Sequence, residues 1–384
     1  MDKSLILLLT LVFHGWPLPM EGEAPGGTTR AQSVKKAALE FIKVGPGGTN
    51  FVGAATGKVF RPWGFNYDHD SDGALLEDYW EGEWSTVAED FREMKALGAN
   101  VVRIHLQLGK FMRSADRPNG EALARLGGLI KVAESNRVYL DVTGLGCYDK
   151  RAVPGWYDSL GESNRWQVQA RFWEAVAGVC RESPAIFCYD LMNEPILPGE
   201  SKAETDWLAR PLGDKYFVQR ISLDLEGRSR HQVARAWVDK LTLSIRKQDP
   251  KHLITVGVIP WALPFPGATP LFYSPEVGAH LDFVSVHFYP KRGEVDKALS
   301  ALAVYEVGKP LVVEEIFTLH CGREELDRFI DGSRAHADGW MGFYWGKTIA
   351  DYSGSDLSLA EAITRDWLEY FATKSREMNP SGAP

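Results

Sequence analysis

Residues 186–195 read IFCYDLMNEP, a largely apolar run that ends in a glutamate followed by a proline. A second run of this kind, PLVVEEIF, covers residues 310–317 and contains Glu314 and Glu315. Burying a carboxylate at the end of an apolar strand costs free energy, so carboxylates in such positions commonly carry out chemistry. The sequence therefore predicts two functional carboxylates, each at the end of a buried strand.

Strand and helix patterns alternate eight times around these two runs. The candidate strands are short and apolar, and most are bounded by Gly, Pro, Asn or Asp, as in buried parallel sheets. Amphipathic stretches separate them, for example Val233, Trp237, Leu241 and Ile245 at helical spacing. Eight such units predict an α/β fold, a single-domain (β/α)8 TIM barrel. The alternative, an open doubly wound sheet, usually begins with a Gly-rich phosphate turn, which the sequence lacks. The candidate strands are Val59–Tyr67, Asn100–Gln107, Val138–Leu145, Ala185–Glu194, Leu253–Ile259, Phe283–Tyr289, Leu311–Phe317 and Met341–Trp345.

The barrel domain is expected to cover residues 41–375. It opens with a short β-hairpin whose turn is residues 45–50, GPGGTN, and this hairpin is a candidate plug for the bottom of the barrel. Residues 25–40 are predicted to form a flexible leader and residues 376–384 a disordered tail.

The N-terminus has the pattern of an export signal. Lys3 precedes the apolar run of residues 5–13, which is too short to span a bilayer and has the length of a signal-peptide core. Cleavage after Ala24 would leave a signal peptide of residues 1–24. The protein is therefore expected to be secreted or periplasmic, with no membrane association after the signal is removed.

The composition limits the classes of partner. The 43 basic and 51 acidic residues are mixed along the chain and give a net charge of −8, so nucleic acid is not an expected partner. The 13 Trp suit a carbohydrate partner, because an indole face stacks on the C–H face of a sugar, although most tryptophans are expected to pack in the core. The sequence indicates no oligomeric state.

At its strand ends the chain resembles the 4/7 superfamily of glycoside hydrolases, and most closely family 5, the cellulase and β-mannanase family. The resemblance covers roughly residues 58–372 and is most specific at the Asn193-Glu194-Pro195 motif. It implies a retaining β-glycoside hydrolase acting on a β-linked glucan or mannan through a glycosyl-enzyme, with no metal and no organic cofactor. Glu194 would be the acid/base and Glu315 the nucleophile.

The resemblance also implies substrate-binding and supporting residues on the other strands. Arg103 would hold the nucleophile anionic, and Asn193 would bind the sugar 2-hydroxyl. Tyr289 would contact the nucleophile, His287 the substrate, and Trp345 would form a platform under the sugar. Asn66, at the end of strand one, is a candidate to face the sugar.

Two positions depart from a simple pattern. Strand alternation places Glu314 and Glu315 on opposite sides, and the resemblance selects Glu315, although Phe317 stands where relatives usually have glycine. Strand three lacks the histidine that many relatives place near the acid/base, and His105 or Tyr148 is a candidate substitute.

The turn after strand one, residues 68–73, reads DHDSDG, which is how a calcium-binding EF-hand loop begins. Its twelfth position is Tyr79 rather than glutamate, so a hydrogen-bonded polar loop at the catalytic mouth is favoured over a calcium site.

Two alternatives remain open on the sequence alone. A transglycosylase would use the same residues with a sugar acceptor in place of water, and a non-catalytic carbohydrate-binding barrel would need neither glutamate. The long Ile196–Ser229 loop is expected to wall the substrate cleft, and whether it closes one end decides between endo and exo action.

Overall fold

The computed structural model describes residues 38–200, 202–260, 269–354 and 356–379. The predicted signal peptide, the leader up to residue 37 and the last five residues of the predicted tail lie outside these ranges.

Eight parallel strands form a barrel. In ring order, each strand pairs with its sequence neighbour, and strand eight pairs with strand one. Strand five consists of two short pieces on either side of Val256, of which one pairs with strand four and the other with strand six. The predicted (β/α)8 barrel is confirmed. The strands are β1 (Trp63–Asn66), β2 (Val101–Gln107), β3 (Tyr139–Gly146), β4 (Ile186–Asp190), β5 (Leu253–Thr255 and Gly257–Val258), β6 (Val284–His287), β7 (Leu311–Glu315) and β8 (Gly339–Phe343).

Within the described ranges, seven longer helices surround the strands. The helix after β4 begins at Ser229, whose side chain and that of Gln232 cap each other's backbone N–H groups. It buries Val233, Trp237 and Ile245 against the sheet, as the helical spacing predicts. The helices are α1 (Trp84–Ala96), α2 (Gly120–Asn136), α3 (Glu162–Cys180), α4 (Arg230–Gln248), α5 (Val295–Leu302), α6 (Arg323–Ser333) and α7 (Leu359–Met378). Single helical turns cover Leu76–Tyr79, Leu108–Phe111, Lys150–Ala152, Gly155–Asp158, Gly278–His280 and Ala303–Tyr305.

The N-terminal strands close the bottom of the barrel. Ile42–Val44, Phe51–Gly53 and Val59–Phe60 form a small antiparallel sheet. Phe51 is fully buried, and its ring meets the rings of Phe187 and Phe283 at centroid distances of 5.1 and 5.2 Å. The predicted plug is therefore present, and these rings fill the barrel from below. Four further two- or three-residue strands of the described residues lie outside the barrel: Met112–Ser114 pairs with Arg117–Pro118, and Pro195–Ile196 pairs with Gln219–Arg220.

Three predicted boundaries differ from the structure. The first predicted strand is divided, because Pro62 has no N–H for the ladder, and only Trp63–Asn66 enters the barrel. Strand four ends at Asp190, so Glu194 lies four residues beyond it. Helix α7 continues to Met378, so residues 376–378 are helical rather than part of a disordered tail. None of the described helices is both long and apolar enough to cross a membrane.

Candidate active site

Glu194 and Glu315 come together at the carboxyl ends of the strands, where barrel enzymes place their catalytic groups. Glu315 is the last residue of β7, and Glu194 follows β4. One oxygen of each carboxylate and one nitrogen of His287 all lie within 4.8 Å of one another. The side chains of Glu194 and Glu315 keep 13% and 11% of their surface exposed, which leaves both reachable from the mouth of the barrel.

The backbone at Glu194 is unusual. Its φ of +48° lies in the left-handed region, which a residue with a Cβ seldom adopts. A hydrogen bond of 3.0 Å from the Glu194 N–H to the Gly257 carbonyl fixes this turn. Strained residues of this kind cluster at functional sites, and here the turn directs the side chain toward His287.

His287 connects the carboxylates. Its Nδ1 lies 2.9 Å from Glu194 and 3.4 Å from Glu315, and its Nε2 lies 3.2 Å from Glu314. Burial alone would lower the pKa of His287, but the surrounding carboxylates of Glu315, Glu194 and Glu314 outweigh it and raise the pKa to about 10. The ring is therefore an imidazolium at neutral pH.

Arg103 on β2 is a second buried cation at this site. Its guanidinium donates to Glu315 at 2.7 Å and to Asp190 at 2.8 Å, and its Nε donates to Thr143 at 2.8 Å. The Thr143 hydroxyl donates in turn to Asp190 at 2.9 Å. Five donors in a planar fork are well suited to gather several carboxylates, so Arg103 fixes the direction of the Glu315 side chain.

Strand alternation predicts that Glu314 and Glu315 point to opposite sides of the strand, and this prediction is wrong. The ladder between β6 and β7 pairs Val286 with Val313 and His287 with Glu315, so Glu314 is the extra residue of a β-bulge. Glu314 is fully buried and lies 3.4 Å from Arg103, so both glutamates face the barrel interior. Only Glu315 reaches the open cavity.

Gly257 makes room for this cluster. A Cβ on Gly257 would lie 2.5 Å from Glu314 Oε2 and 2.7 Å from His287 Nε2, which is closer than real Cβ contacts. The absence of a side chain thus lets the carboxylate and the imidazolium meet, a close approach that only glycine permits.

Glu315 is held between opposing influences. Burial raises its pKa above the ordinary value, His287 and Arg103 act to lower it, and the negative charge of Glu194 acts to raise it. Tyr289 donates a hydrogen bond of 2.6 Å to the second Glu315 oxygen, which favours the carboxylate form. The net pKa is raised, and Tyr289 limits that rise.

A cavity of about 350 Å³ opens above Glu315. Aromatic rings form much of its wall, as is common where sugars stack. Trp345 is half-buried there and lies over Phe343, with 17° between the ring planes. The Ile196–Ser229 loop supplies Leu212, Asp214, Lys215 and Phe217 to the wall, in agreement with its predicted position on the catalytic face.

Asn66 and Asn193 both contact Arg103. Asn66 is fully buried, its oxygen accepts from Arg103 at 2.8 Å, and its amide donates to the carbonyls of Glu314 and Gly342 at 2.9 Å. The Asn193 oxygen accepts from Arg103 at 2.9 Å, and its amide donates to the Phe217 carbonyl at 3.0 Å. Asn66 therefore faces Arg103 and not the open cavity, because the guanidinium and two carbonyls use its hydrogen bonds.

His105 and Tyr148, the two candidates for the missing strand-three histidine, are joined by a 2.6 Å hydrogen bond. Burial and the nearby charge of Arg103 hold the pKa of His105 well below its usual range, so this ring is neutral. Sequence reasoning missed Asp190, Thr143 and Asp141. The signal that could have found them is a polar residue at an inward position of a buried strand.

The polar turn after β1 is internally hydrogen-bonded. One oxygen of Asp70 accepts the N–H groups of Asp72 and Ala74, each at 2.9 Å, and Asp68 pairs with His69 at 2.9 Å. These contacts agree with the prediction of a hydrogen-bonded polar loop at the mouth of the barrel.

Glu194, His287 and Glu315 are the only set of three ligand-type side chains close enough for a metal ion among the described residues. A histidine ligand must be neutral and present a free nitrogen. Both His287 nitrogens instead lie next to carboxylates, and its pKa of about 10 keeps the ring protonated. The donor set therefore suits proton handling better than metal binding.

The family comparison agrees with this geometry. Residues 55–348, well over half of the chain, match the family model described as Cellulase (glycosyl hydrolase family 5). No curated relative matches the chain in sequence.

Solved structures with the same fold share little sequence with the chain. An exo-β-1,4-mannosidase from Opitutaceae bacterium strain TAV5 is 17% identical with a TM-score of 0.64, and the match covers 89% of this chain and 63% of that one. The endo-1,4-β-mannanase from Rhizomucor miehei is 18% identical with a TM-score of 0.55, covering 87% and 100% of the two chains. The catalytic domain of an endoglucanase from Thermobifida fusca is 17% identical with a TM-score of 0.53, covering 85% and 97%.

These structural similarities confirm the barrel fold. The chain spans less than two thirds of the length of the mannosidase. The family match covers both strand-end glutamates and the residues that surround them. The chain belongs to glycosyl hydrolase family 5.

Proposed function

We propose that the protein is a retaining β-glycoside hydrolase with Glu315 as nucleophile and Glu194 as acid/base. The observation that carries the proposal is the short distance between the two carboxylates. One oxygen of Glu194 lies within 4.8 Å of one oxygen of Glu315. Retaining enzymes place their carboxyl groups roughly 5–5.5 Å apart, whereas inverting enzymes leave room for a water between them.

In the first step, a Glu315 oxygen forms a bond to the anomeric carbon. The bond from that carbon to the leaving oxygen breaks, and Glu194 gives its proton to this oxygen. Arg103 and Tyr289 support the attack by holding the Glu315 oxygens in place at 2.7 and 2.6 Å. Asn66 and Asn193 act through Arg103, since each accepts one of its N–H groups.

In the second step, water attacks the anomeric carbon of the glycosyl-enzyme and Glu194 takes the proton of that water. The bond to Glu315 breaks and the carboxylate returns to Arg103. His287 stays between the two glutamates throughout, and its positive charge offsets the negative charge that moves from one carboxylate to the other.

We infer that the substrate is a β-linked glucan or mannan. The support is the family match and the solved relatives, whose names place them on β-1,4-mannan and on glucan. The aromatic wall around Trp345 suits the C–H faces of either sugar.

The test is hydrolysis of aryl β-glycosides and of β-1,4-linked gluco- and manno-oligosaccharides by wild type, Glu315→Ala and Glu194→Ala. We expect one sugar series to be cleaved and Glu315→Ala to lose activity by a factor on the order of 10⁴ or more. Glu194→Ala should keep more activity on aryl glycosides, whose good leaving groups need no acid, than on oligosaccharides. Binding of oligosaccharide without any cleavage by wild type would contradict the proposal.

We also propose that the protein is exported and that residues 1–24 are removed as a signal peptide. The support is the apolar run of residues 5–13 after Lys3. N-terminal sequencing of protein recovered from the medium or periplasm should read from residue 25. An N-terminus that still carries residues 1–24 would contradict this proposal.

A further inference from the structure

The loop that follows β1 forms one side of the cavity above Glu315. Asp68, His69 and Gly73 of that loop line the cavity, as do Lys215 and Asp214 of the long loop after β4. The two loops approach closely, since a Cβ on Gly73 would lie only 3.8 Å from the Lys215 Nζ. This end of the cavity is therefore a wall built from two loops.

A ring contact separates this cavity from a second hollow of about 630 Å³. His69, Phe317 and Trp345 line both spaces. The centroids of the His69 and Trp345 rings are 6.2 Å apart, and those of the Phe317 and Trp345 rings are 5.3 Å apart. A glycan that extended from this cavity toward the second hollow would meet these rings.

Asp68 and Trp345 each bring a buried polar atom without a hydrogen-bond partner among the described residues. These atoms are Asp68 Oδ1, an acceptor, and Trp345 Nε1, a donor. The other Asp68 oxygen is engaged by His69 at 2.9 Å, and Asp68 is only 3% exposed. Buried polar atoms without partners are costly, and at the wall of a cavity they point to a ligand with hydroxyl groups.

Each acid at this end of the cavity lies beside a basic residue. Asp68 pairs with His69, and Asp214 pairs with Lys215 at 3.0 Å. Burial would raise the pKa of Asp68, but His69 outweighs it and holds this pKa at about 2. With each acid beside a basic partner, this end offers hydrogen bonds to the hydroxyl groups of a neutral sugar.

We propose that Asp68, His69 and Trp345 form a closed subsite for the terminal, neutral sugar of a β-linked chain, which makes the enzyme exo-acting from the non-reducing end. The inference rests on the proposed function, because the anomeric carbon must face Glu315. Glu315 but not Glu194 is among the described residues that line this cavity, so the closed end lies away from the acid that meets the leaving group. Each cut then releases one terminal sugar.

The first test uses the wild-type enzyme and oligosaccharides labelled at the reducing end. We expect the earliest products to be a monosaccharide and a labelled chain one unit shorter. Methylation of the remote hydroxyls of the terminal sugar should abolish cleavage. Release of longer fragments, or cleavage of the end-blocked chains, would overturn the exo assignment while leaving the glycosidase mechanism intact. Loss of all activity, including activity on aryl monosaccharide glycosides, would refute the proposed function itself and the subsite with it.

A second test compares Asp68→Asn with Asp72→Asn, the same change in an exposed residue of the same loop. Asp68→Asn should raise KM for the terminal sugar by about tenfold or more, as expected for a lost charge-assisted hydrogen bond. Asp72→Asn should match wild type in KM, kcat and thermal unfolding. A normally folded Asp68→Asn with unchanged KM would overturn the subsite.

Discussion

Glu315 must be ionised to attack a sugar, yet it lies in a buried site that raises its pKa. Tyr289 and Arg103 are the two hydrogen-bond donors on its oxygens, at 2.6 and 2.7 Å. Because only the carboxylate form is a nucleophile, activity should fall as the pH drops through a value above the ordinary carboxyl pKa of 4.5.

Replacing Tyr289 with phenylalanine removes one of these donors. The carboxylate form is then less favoured, so the acid limb of kcat/KM should move up by about one pH unit, and kcat should fall roughly tenfold. The measurement is the pH profile with an aryl β-glycoside. Tyr370→Phe is a matched control, since the Tyr370 hydroxyl donates to Asp327 on the helical surface, and its profile should equal that of wild type. An acid limb that stays in place in Tyr289→Phe would contradict this account of Glu315.

Sequence reasoning at single residues located the side chains better than their contacts. Glu194, Glu315, His287 and Tyr289 meet at one site as the strand-end pattern predicts. The position of Asn66 against Arg103 was not predictable, because it depends on hydrogen bonds to residues more than 200 positions away. The pairing of Asp68 with His69 likewise has no signature beyond a polar turn.

The barrel strands carry more buried carboxylates than buried cations. Arg103 and His287 face Asp141, Asp190, Glu314 and Glu315, so full ionisation of the acids would be costly. Burial and the charge of Glu314 raise the pKa of Asp141 well above its usual range, which favours the protonated form of this acid.

Two substitutions inside the barrel should therefore differ sharply in their effect on stability. Arg103→Met leaves buried carboxylates unpaired and should lower the free energy of unfolding by about 3–5 kcal/mol. Asp141→Asn keeps the size and neutrality of a protonated acid, so it should change the free energy of unfolding by less than about 1 kcal/mol. Urea denaturation of both variants measures the difference. Equal losses in the two variants would show that Asp141 is ionised in the folded protein.

The β7 strand shows why an element can be predicted while its register is not. The apolar run of residues 310–317 identifies the strand, but the bulge that turns Glu314 inward depends on pairing with β6. Backbone irregularities of this kind leave no periodic pattern in the sequence. The same holds for strand four, where the chain leaves the strand at Asp190 and turns at Glu194.

The N-terminal hairpin should contribute to stability through Phe51. Phe51→Ala removes a fully buried ring from between Phe187 and Phe283 and should cost about 3–5 kcal/mol of unfolding free energy. Val59→Ala, on the exposed side of the same small sheet, should be close to neutral. Thermal unfolding of both variants gives the comparison. A Phe51→Ala protein as stable as Val59→Ala would mean that the hairpin does not plug the barrel.

The whole molecule holds several protons that the unfolded chain would release. The pKa values of Glu77, Asp190 and His287 are raised to about 7, about 6 and about 10. Burial is the largest cause for the two acids, while the surrounding carboxylates raise the pKa of His287 against its burial. Asp68 and Asp249 have pKa values lowered to about 2, because their histidine partners outweigh the effect of burial.

The sign of the pH dependence of stability follows from these shifts. Groups whose pKa is raised by folding stabilise the protein fully at a pH below their pKa in the unfolded chain. This stability is lost as the pH rises through their pKa in the folded protein. Groups whose pKa is lowered by folding stabilise the protein at a pH above their pKa in the unfolded chain. This stability is lost as the pH falls toward 2. Maximum stability should therefore lie near pH 4 and decline from there toward pH 10, as Asp190, Glu77 and His287 lose their protons in turn. Thermal unfolding across this range tests the expectation, and a maximum at pH 8 or above would contradict it.

Prediction succeeded best for the molecule as a whole, because the eight alternating units are repeated local patterns. The barrel, the hairpin plug and the loop after β4 were all visible in the sequence. The end of the cavity lined by the loops after β1 and β4 was not, because no local pattern encodes the meeting of these two loops.

The claim that Glu315 is the nucleophile of a retaining hydrolase can be tested by trapping the glycosyl-enzyme. A 2-deoxy-2-fluoro β-glycoside with a good leaving group, made from the sugar that the panel identifies, should inactivate the enzyme and add one fluorosugar per chain. Peptide fragmentation by mass spectrometry should place that mass on Glu315. A label on Glu314, or an inverted anomeric product with no label at all, would contradict the account.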